Sequence, residues 1–566
     1  MRPPLLLTMI AVASGVGAIL LWAVDIPLGV PTEWTWPRIP FSIESVAGLL
    51  QLTPAALLYL VWVGWASKSI ATGSNRKTAS SLIGLTVAGF AWLTAVQSAV
   101  PGIAGLSKSP FVLYYPRSSG YFWQARYEVT SPRQFLADYD ELMAERDYLH
   151  IGTHPPGLTL LFCAILHTLE GSPALTRALL ATQPPAVDDA AQTIRNQSRQ
   201  TPHPFTQTDQ ASLWLWTLLV QASAVLVVVP LFLILAVRVD RMTAFHAAAM
   251  WPLVPAIAVF LPKSDVLFPF LSLFAAWLWW AGWRHRSPAA CTAAGVTLFA
   301  GMSCSLALLP TAALIALWTL LDAWLAWRRN PESLKPRRAT LCVGCAAAGF
   351  LAPVLILWPC CDLNLFTIWR WNFQNHALFY DHNVRTFWKW LLVNPIELIL
   401  AAGAPLAVLA AAGVIHSLRA RRHLPFVVAL MGIWGLLWLS GKNMGEAARL
   451  WIVLMPWLAV AAGLLGQAGA SPDQPQPLPR RFWLAALTIQ LIVSTITVTR
   501  IDGFHFDQLR DAASIEDQTA FSGMLTRSPS ESSMSSAISQ RSRPRFFAMY
   551  SAASADAINC EAVLPC

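Results

Sequence analysis

The stretch Thr153-His154-Pro155-Pro156-Gly157 joins a polar segment to an apolar run and carries the most distinctive chemical group of the chain. Two consecutive prolines remove two backbone donors and restrict the chain, so the side chain of His154 is held in a rigid setting. An imidazole at the level of lipid headgroups can donate to a phosphate or carry a proton. An isolated histidine at a membrane interface usually has no catalytic or binding role. His154 is a candidate because acidic residues lie near it in the sequence.

Those acids belong to a predicted amphipathic helix. Ser131 can cap it, Pro132 suits its first position, and Gln134 completes a capping box. One apolar arc of the helix holds Phe135, Leu136, Tyr139, Leu142 and Met143, and the other face holds Asp138, Glu141 and Glu145. The simpler interpretation is that these acids form the solvated face of the helix. Alternatively, Asp138, Asp140 or the earlier Glu128 can serve as a general base if a cavity lies beside them.

Further ionisable residues occur at the predicted membrane boundary, where charges are costly and often functional. Lys263 and Asp265 form either a salt-bridged turn or a substrate contact. Glu446 and Arg449 either pair with each other or bind a donor phosphate, with Lys442 assisting. The aromatic segment 359–390 is an interfacial belt or a sugar-binding surface, and its polar candidates include His376 and Arg385.

The chain has 566 residues, of which 55% are hydrophobic and 12% charged, and its apolar runs are long enough to cross a bilayer as helices. This composition excludes a soluble enzyme, a disordered chain and a secreted disulfide scaffold. The run 221–236 lacks the alternation of a β-barrel strand. We therefore predict an all-α, polytopic transmembrane helical bundle, whose net charge of +9 reflects basic loops and not nucleic-acid binding.

About 12–14 membrane segments are predicted, one of them a re-entrant or paired helical hairpin over 157–182. The other spans are near 5–24, 46–66, 81–98, 211–236, 243–262, 265–283, 289–309, 310–327, 339–358, 391–414, 425–440, 449–469 and 482–499. Loops that carry clusters of Lys and Arg are assigned to the cytoplasm, and the loops between them to the exterior. The predicted organisation is a bundle over 1–470 with exterior loops 99–155, 184–210 and 359–390, a linker over 471–481, a last helix over 482–499 and an exterior, largely disordered tail over 500–566.

At three places the chain resembles the C-type integral-membrane glycosyltransferases, which include the protein O-mannosyltransferases and the aminoarabinose transferases. The large first exterior loop has a juxtamembrane amphipathic helix and ends in His154-Pro155-Pro156. The stretch 260–265, FLPKSD, resembles a short exterior turn of the class. The stretch 442–451, KNMGEAARLW, resembles a late Glu/Arg element of some bacterial members.

The resemblance implies a multi-pass enzyme of a bacterial cytoplasmic membrane that uses a polyprenyl-phosphate-linked sugar as donor. Transfer to an acceptor, whose identity stays open, would take place on the exterior face with inversion. The resemblance also implies an acid near the start of the first exterior loop, but Ser118-Ser119-Gly120 stands there. Either Asp138, Asp140 or Glu128 replaces it, or the chain has lost activity.

Two other functions stay open, a transporter or flippase of lipid-linked intermediates and a non-catalytic membrane scaffold. The chain lacks the internal symmetry of many transporters. No cofactor is expected, because no compact His/Asp/Glu spacing demands a metal ion, although a divalent metal is not excluded.

Overall fold

The computed structural model describes residues 3–331, 336–466 and 478–504, and these residues are mostly helical. The predicted tail beyond residue 504 and most of the predicted linker lie outside the described residues. Within these described ranges, nine helical segments are long and apolar enough to cross a membrane, or up to eleven if each of two bent pairs is one span. Three shorter apolar helices accompany them in the described part. The predicted all-α, polytopic membrane protein is thus confirmed.

The N-terminal part has three long helices and a small hairpin. The helices are α1 (Pro3–Trp22), α2 (Ile43–Thr72) and α3 (Asn75–Ser98), and the strands are β1 (Leu28–Val30) and β2 (Trp34–Trp36). The strands pair antiparallel, with Leu28 opposite Trp36. This hairpin was not predicted from the sequence.

The first large loop consists of short helices with a π-helical turn at Gln124–Glu128. The helices are α4 (Lys108–Tyr114), α5 (Tyr121–Trp123), α6 (Pro132–Ala137) and α7 (Tyr139–Ala144). The predicted amphipathic helix is therefore split at Asp138. Ser131 caps it as expected, accepting from the backbone N–H of Gln134, but the Gln134 amide donates to the Asp138 carboxylate instead of closing the capping box. Leu136, Tyr139 and Met143 are buried, in agreement with the predicted apolar face.

The segment predicted as a hairpin is a pair of helices, α8 (Gly157–Glu170) and α9 (Pro173–Ala181), bent by 104°. Gly171 and Ser172 interrupt the helix where the sequence indicated, and the bent pair is either a re-entrant loop or a broken span. The next helix, α10 (Pro185–Ser198), packs against α4, and the Tyr115 hydroxyl donates to Oε1 of Gln197 at 2.7 Å. Residues 185–198 thus lie beside the first large loop.

The central part of the bundle follows. Its helices are α11 (Gln207–Leu226), α12 (Val228–Ala236), α13 (Arg241–Met250), α14 (Pro255–Phe260), α15 (Phe268–His285), α16 (Pro288–Met302) and α17 (Leu309–Arg329). In the segment Arg241–Phe260, residues 243–260 are all buried inside the protein. The chain leaves this segment just before Lys263.

The described residues after 335 add eight helices. They are α18 (Pro336–Cys361), α19 (Leu365–His382), α20 (Phe387–Ala402), α21 (Ala404–Ala420), α22 (Leu424–Leu439), α23 (Ala447–Leu450), α24 (Pro456–Gly463) and α25 (Arg480–Val498). The segment 359–390, predicted as a loop, is largely helical because α19 occupies its centre. The run 391–414, predicted as one span, is a second bent pair, α20 and α21, with an angle of 108°.

The bend between α20 and α21 is fixed by a side chain of the last helix. Gly403 has a φ of +85°, and a Cβ there would lie 2.4 Å from Nε2 of Gln490, so glycine is required. Gln490 donates to the carbonyl oxygen of Ala402 at 2.9 Å and accepts from the N–H of Leu406 at 3.2 Å. One side-chain amide thus pairs with one backbone acceptor and one backbone donor at the bend.

Candidate functional site

A cluster of charged and imidazole side chains forms where three separate segments meet. Lys263 and Asp265 come from the connection between α14 and α15, Arg449 from α23, and His150 and His154 from the loop after α7. The connection is held by the Trp216 indole, which donates to the carbonyl oxygen of Pro262 at 3.2 Å. The structure thereby brings together residues from all three places of the family resemblance.

Arg449 lies between two carboxylates. Its Nη2 is 2.9 Å from Oε1 of Glu446, and its Nε is 3.7 Å from Oδ2 of Asp265. The three side chains are 12–15% exposed. Burial lowers the pKa of Arg449, but the two carboxylates outweigh burial and hold this pKa above its usual value. The arginine therefore stays charged, and the carboxylates fix the direction of its guanidinium.

Lys263 is the most enclosed cation of the cluster, with 4% of its surface exposed. Its ammonium contacts the carbonyl oxygen of Ser118 and lies 3.3 Å from Nε2 of His150. Within the described residues, no carboxylate lies within 4.0 Å of this ammonium. Burial and the nearby charge of Arg449 lower the pKa of Lys263 to about 7. A buried ammonium without a close anion is unusual, because burying an unpaired charge is costly.

His154 is held by its own loop. Its Nδ1 lies 3.0 Å from the carbonyl oxygen of His150, and its own carbonyl oxygen accepts from the Tyr139 hydroxyl at 2.8 Å. Burial lowers the pKa of His154 to about 4, so the ring is neutral at neutral pH. A neutral ring that donates through Nδ1 has a lone pair on Nε2. His154 can therefore accept a proton at Nε2 but cannot donate one from that atom to a phosphate.

The three acids predicted as general bases lie elsewhere on the first loop. Asp138 is exposed and bound by Gln134, while Asp140 accepts from the Trp371 indole at 2.8 Å. Glu128 is exposed at the end of the π-helical turn. Among the described residues, no ion pair or hydrogen bond links these acids to Lys263 or Arg449.

The place where the family resemblance predicts an acid, Ser118-Ser119-Gly120, does lie at the cluster. Ser118 contacts Lys263 through its carbonyl oxygen, and Ser119 is buried. Gly120 begins α5 with a φ of +79°. The backbone thus reaches the cluster without a carboxylate, and Glu446 and Asp265 are the acids that lie beside Arg449.

The remaining predicted residues surround the turn that leads into α23. Arg385 donates to the carbonyl oxygen of Glu33 at 2.6 Å, and its guanidinium lies 5.6 Å from the ring centre of Trp34. His376 packs beside Tyr380, whose hydroxyl accepts from the N–H of Asn443 at 2.7 Å. Lys442 is exposed. Arg385 and His376 thus support the turn, while Lys442 faces outward.

Three acidic or imidazole residues were missed in the sequence. His150 precedes His154 by four residues, and this spacing was a usable signal. Glu397, in the apolar run of α20, accepts from Trp36 at 3.1 Å and from the N–H of Ala448 at 3.0 Å, so it positions the start of α23. An acidic residue within an apolar run is a candidate functional residue, so Glu397 could have been found from the sequence. Glu33 gave no such signal, because its loop has no recognisable pattern.

A cavity of about 680 Å³ lies between α6 and the end of α18. It is lined by Arg133, Gln134, Trp358, Cys360 and Asp362, among others. No group of three or more His, Cys, Asp or Glu side chains among the described residues is arranged to hold a metal ion.

No family model matches this chain, and no curated protein or solved structure matches it either. Its helix composition identifies it as an integral, multi-pass membrane protein that is embedded in a lipid bilayer.

Proposed function

We propose that the protein is a membrane glycosyltransferase that moves a sugar from a polyprenyl-phosphate donor to an acceptor hydroxyl on the exterior face. The observation that carries this proposal is Lys263, a buried ammonium with no carboxylate within 4.0 Å among the described residues. An anionic group of the substrate would supply the missing partner. Lys263 lies between two candidate membrane spans, Arg241–Phe260 and Ser264–His285, and we infer that the lipid phosphate binds at this junction.

Lys263 and Arg449 would together receive the donor phosphate. Glu446 orients the planar guanidinium of Arg449, and such a fork matches two phosphate oxygens. Because the pKa of Lys263 is about 7, a bound phosphate would raise it and draw a proton onto the amine. Both cations would then oppose the negative charge that develops on the leaving phosphate.

The structure favours Asp265 as the general base over Asp138, Asp140 and Glu128, because Asp265 alone of these acids touches the cationic cluster. In a single displacement, the acceptor oxygen bonds to the anomeric carbon as the bond from that carbon to the phosphate oxygen breaks. The acceptor proton passes to Asp265, and the polyprenyl phosphate leaves with the electron pair. One displacement at one carbon inverts its configuration.

The proposal is tested by binding and turnover with the full chain in lipid nanodiscs. Polyprenyl phosphate, the common product, is added and its binding measured, followed by release of radiolabelled sugar from polyprenyl-phosphate hexoses and pentoses. Wild type should bind the phosphate, and Lys263→Met, which keeps an unbranched apolar side chain but removes the ammonium, should bind at least about tenfold more weakly. Lys77→Met, at an exposed lysine in the first turn of α3, is the matched control. Equal binding by wild type and Lys263→Met would refute the proposal.

A transporter of lipid-linked intermediates is the second candidate, and the two bent helix pairs favour it, since interrupted helices often frame transport sites. Proteoliposomes loaded with the donor separate the two functions. A transporter moves the donor across the bilayer with its glycosidic bond intact, whereas a transferase separates sugar from phosphate.

A further inference from the structure

A second cavity, of about 410 Å³, lies far from the cluster around Lys263. The two sites are joined by α15, which begins just after Asp265 and ends at His285, in the lining of the second cavity. Eighteen helical residues span about 27 Å. The second cavity therefore lies at the other end of the bundle, where the basic loops after α12, α15, α17 and α21 emerge.

The walls of this cavity combine apolar and cationic side chains. Leu233, Ile234, Phe426 and Leu464 supply apolar surface, and Trp277, Trp280, Trp283 and Trp318 add four indoles. Arg238, Arg284, His285 and His423 supply the basic groups. Such a combination suits an amphiphile with a negative headgroup better than a wholly polar solute.

Arg238 is the central cation of the cavity. Its Nη1 donates to the carbonyl oxygen of Ile234 at 2.5 Å, which uses one of its five N–H groups. The guanidinium carbon lies 4.6 Å from the ring centre of Trp318 and 5.2 Å from that of Trp280. These rings can stabilise the cation, yet they accept none of its in-plane hydrogen bonds. Within the described residues, Arg238 has no carboxylate within 4.0 Å.

The acid of the cavity is Asp322 on α17, which is exposed and too far from Arg238 to form an ion pair. Two arginines oppose this one carboxylate. The lining is therefore net positive even when both histidines are neutral. An anion that reaches the cavity would meet unused guanidinium donors at little cost in reorganisation.

We propose that this cavity binds the headgroup phosphate of an anionic phospholipid from the leaflet on the side of the basic loops. The lipid is favoured over a soluble phosphate because Val237, which lines the cavity, is 54% exposed at the end of a candidate membrane span. The cavity thus borders the surface where acyl chains lie. The proposal is independent of the transferase function and concerns a separate site.

Native mass spectrometry of the full chain in detergent tests the site. The protein is incubated with phosphatidylglycerol, with phosphatidylcholine of the same acyl chains, or with glycerol 3-phosphate. We expect wild type to retain phosphatidylglycerol at least about tenfold more tightly than the other two. Arg238→Gln and Arg284→Gln should each weaken this retention by about tenfold, while Arg419→Gln, at an exposed residue in the last turn of α21 outside the cavity, should not.

Asp322→Asn provides a second test, which does not depend on whether Arg238→Gln folds. Removing this negative charge should strengthen retention of phosphatidylglycerol about threefold, a gain that a misfolded protein cannot produce. Equal retention of phosphatidylglycerol and phosphatidylcholine would overturn the proposal. So would equal binding of glycerol 3-phosphate, which would identify a soluble phosphate site, and so would unchanged retention in Asp322→Asn and Arg284→Gln.

Discussion

The carboxylate of Asp140 accepts a hydrogen bond from the indole of Trp371 at 2.8 Å, across 231 residues of sequence. This bond ties α7 to α19 and gives Asp140 a structural partner. The neighbouring Asp138 is likewise bound by Gln134. Asp265, in contrast, lies beside the guanidinium of Arg449. The contacts of Asp138 and Asp140 thus indicate a role in the packing of helices, whereas Asp265 lies at the cationic cluster.

The first prediction concerns the general base. Asp265→Asn should lower the rate of sugar transfer by about 10²–10⁴-fold, because an amide cannot take the acceptor proton. Binding of polyprenyl phosphate should persist, since the change removes a negative charge beside the phosphate site. The measurement is single-turnover release of labelled sugar together with phosphate binding.

Asp138→Asn and Asp140→Asn are the matched controls and should keep turnover within about threefold of wild type, since an amide can still accept the bonds of Gln134 and Trp371. Loss of turnover in either control, with Asp265→Asn fully active, would return the role of base to the amphipathic helix.

The second prediction concerns pH. The pKa of His154 is about 4 in the folded protein and near 6.5 when unfolded. The unfolded chain therefore binds the proton first, and this contribution to stability is complete above pH 6.5 and lost as pH falls toward 4. Between pH 7 and pH 5, we expect wild type to lose on the order of 1–2 kcal/mol from this residue.

Thermal unfolding in nanodiscs measures the effect. His154→Gln should show a smaller fall in Tm between pH 7 and pH 5 than wild type. Part of the fall should remain, because burial also holds the pKa of His150 well below its usual value. An identical fall in both proteins would contradict the assignment.

The third prediction concerns Glu33, whose carboxylate connects the β1–β2 hairpin to α20. It accepts from the Thr386 N–H at 2.8 Å, the Trp390 indole at 2.8 Å and the Lys389 ammonium at 3.0 Å. Burial raises the pKa of Glu33, but these bonds and one from the Thr386 hydroxyl outweigh burial and lower it to about 2. Glu33→Ala should reduce the free energy of unfolding by about 2–4 kcal/mol.

This contribution has the opposite pH dependence to that of His154. It is fully present above pH 4.5 and disappears as pH falls toward 2. Chemical or thermal unfolding at pH 7 and pH 3.5 should therefore separate wild type from Glu33→Ala more at pH 7. A difference that grows on acidification would be inconsistent with the assignment.

The fourth prediction concerns sidedness. Because α10 packs against α4, residues 185–198 should share the exterior side of the first loop. In intact cells, Asn196→Cys should react with a membrane-impermeant maleimide in a background in which the other predicted exterior cysteines are replaced by serine, namely Cys360, Cys361, Cys560 and Cys566. Lys77→Cys, on a predicted cytoplasmic loop, should react only after the cells are opened. Reaction of Asn196→Cys only in opened cells would reverse this topology.

The membrane class and most helices could be predicted from the sequence, because long apolar runs and helix caps are local signals. The bent pair at Gly171 was also predictable, since a Gly-Ser-Pro sequence interrupts an apolar run. The bend at Gly403 was not. It depends on Gln490, almost ninety residues away, and the local run Ala-Ala-Gly-Ala resembles ordinary helix.

The candidate site was predicted in part for the same reason. Lys263, Asp265, Glu446 and Arg449 were found as charges at membrane boundaries, and the structure brings them together. Whether a given acid of the amphipathic helix points toward that cluster depends on packing against α19. Trp371 and Asn375 fix that packing through their hydrogen bonds to α7. Nothing in the local sequence around either residue indicates which partner it contacts.

The hydrogen bonds that Gln490 forms at the bend between α20 and α21 have a consequence for biosynthesis. A ribosome that has just completed α21 has exposed an amide and a carbonyl whose partner is not yet translated. A chain truncated before Arg480 would therefore lack the side chain that pairs the Ala402 carbonyl and the Leu406 N–H, and the bend would lose both bonds.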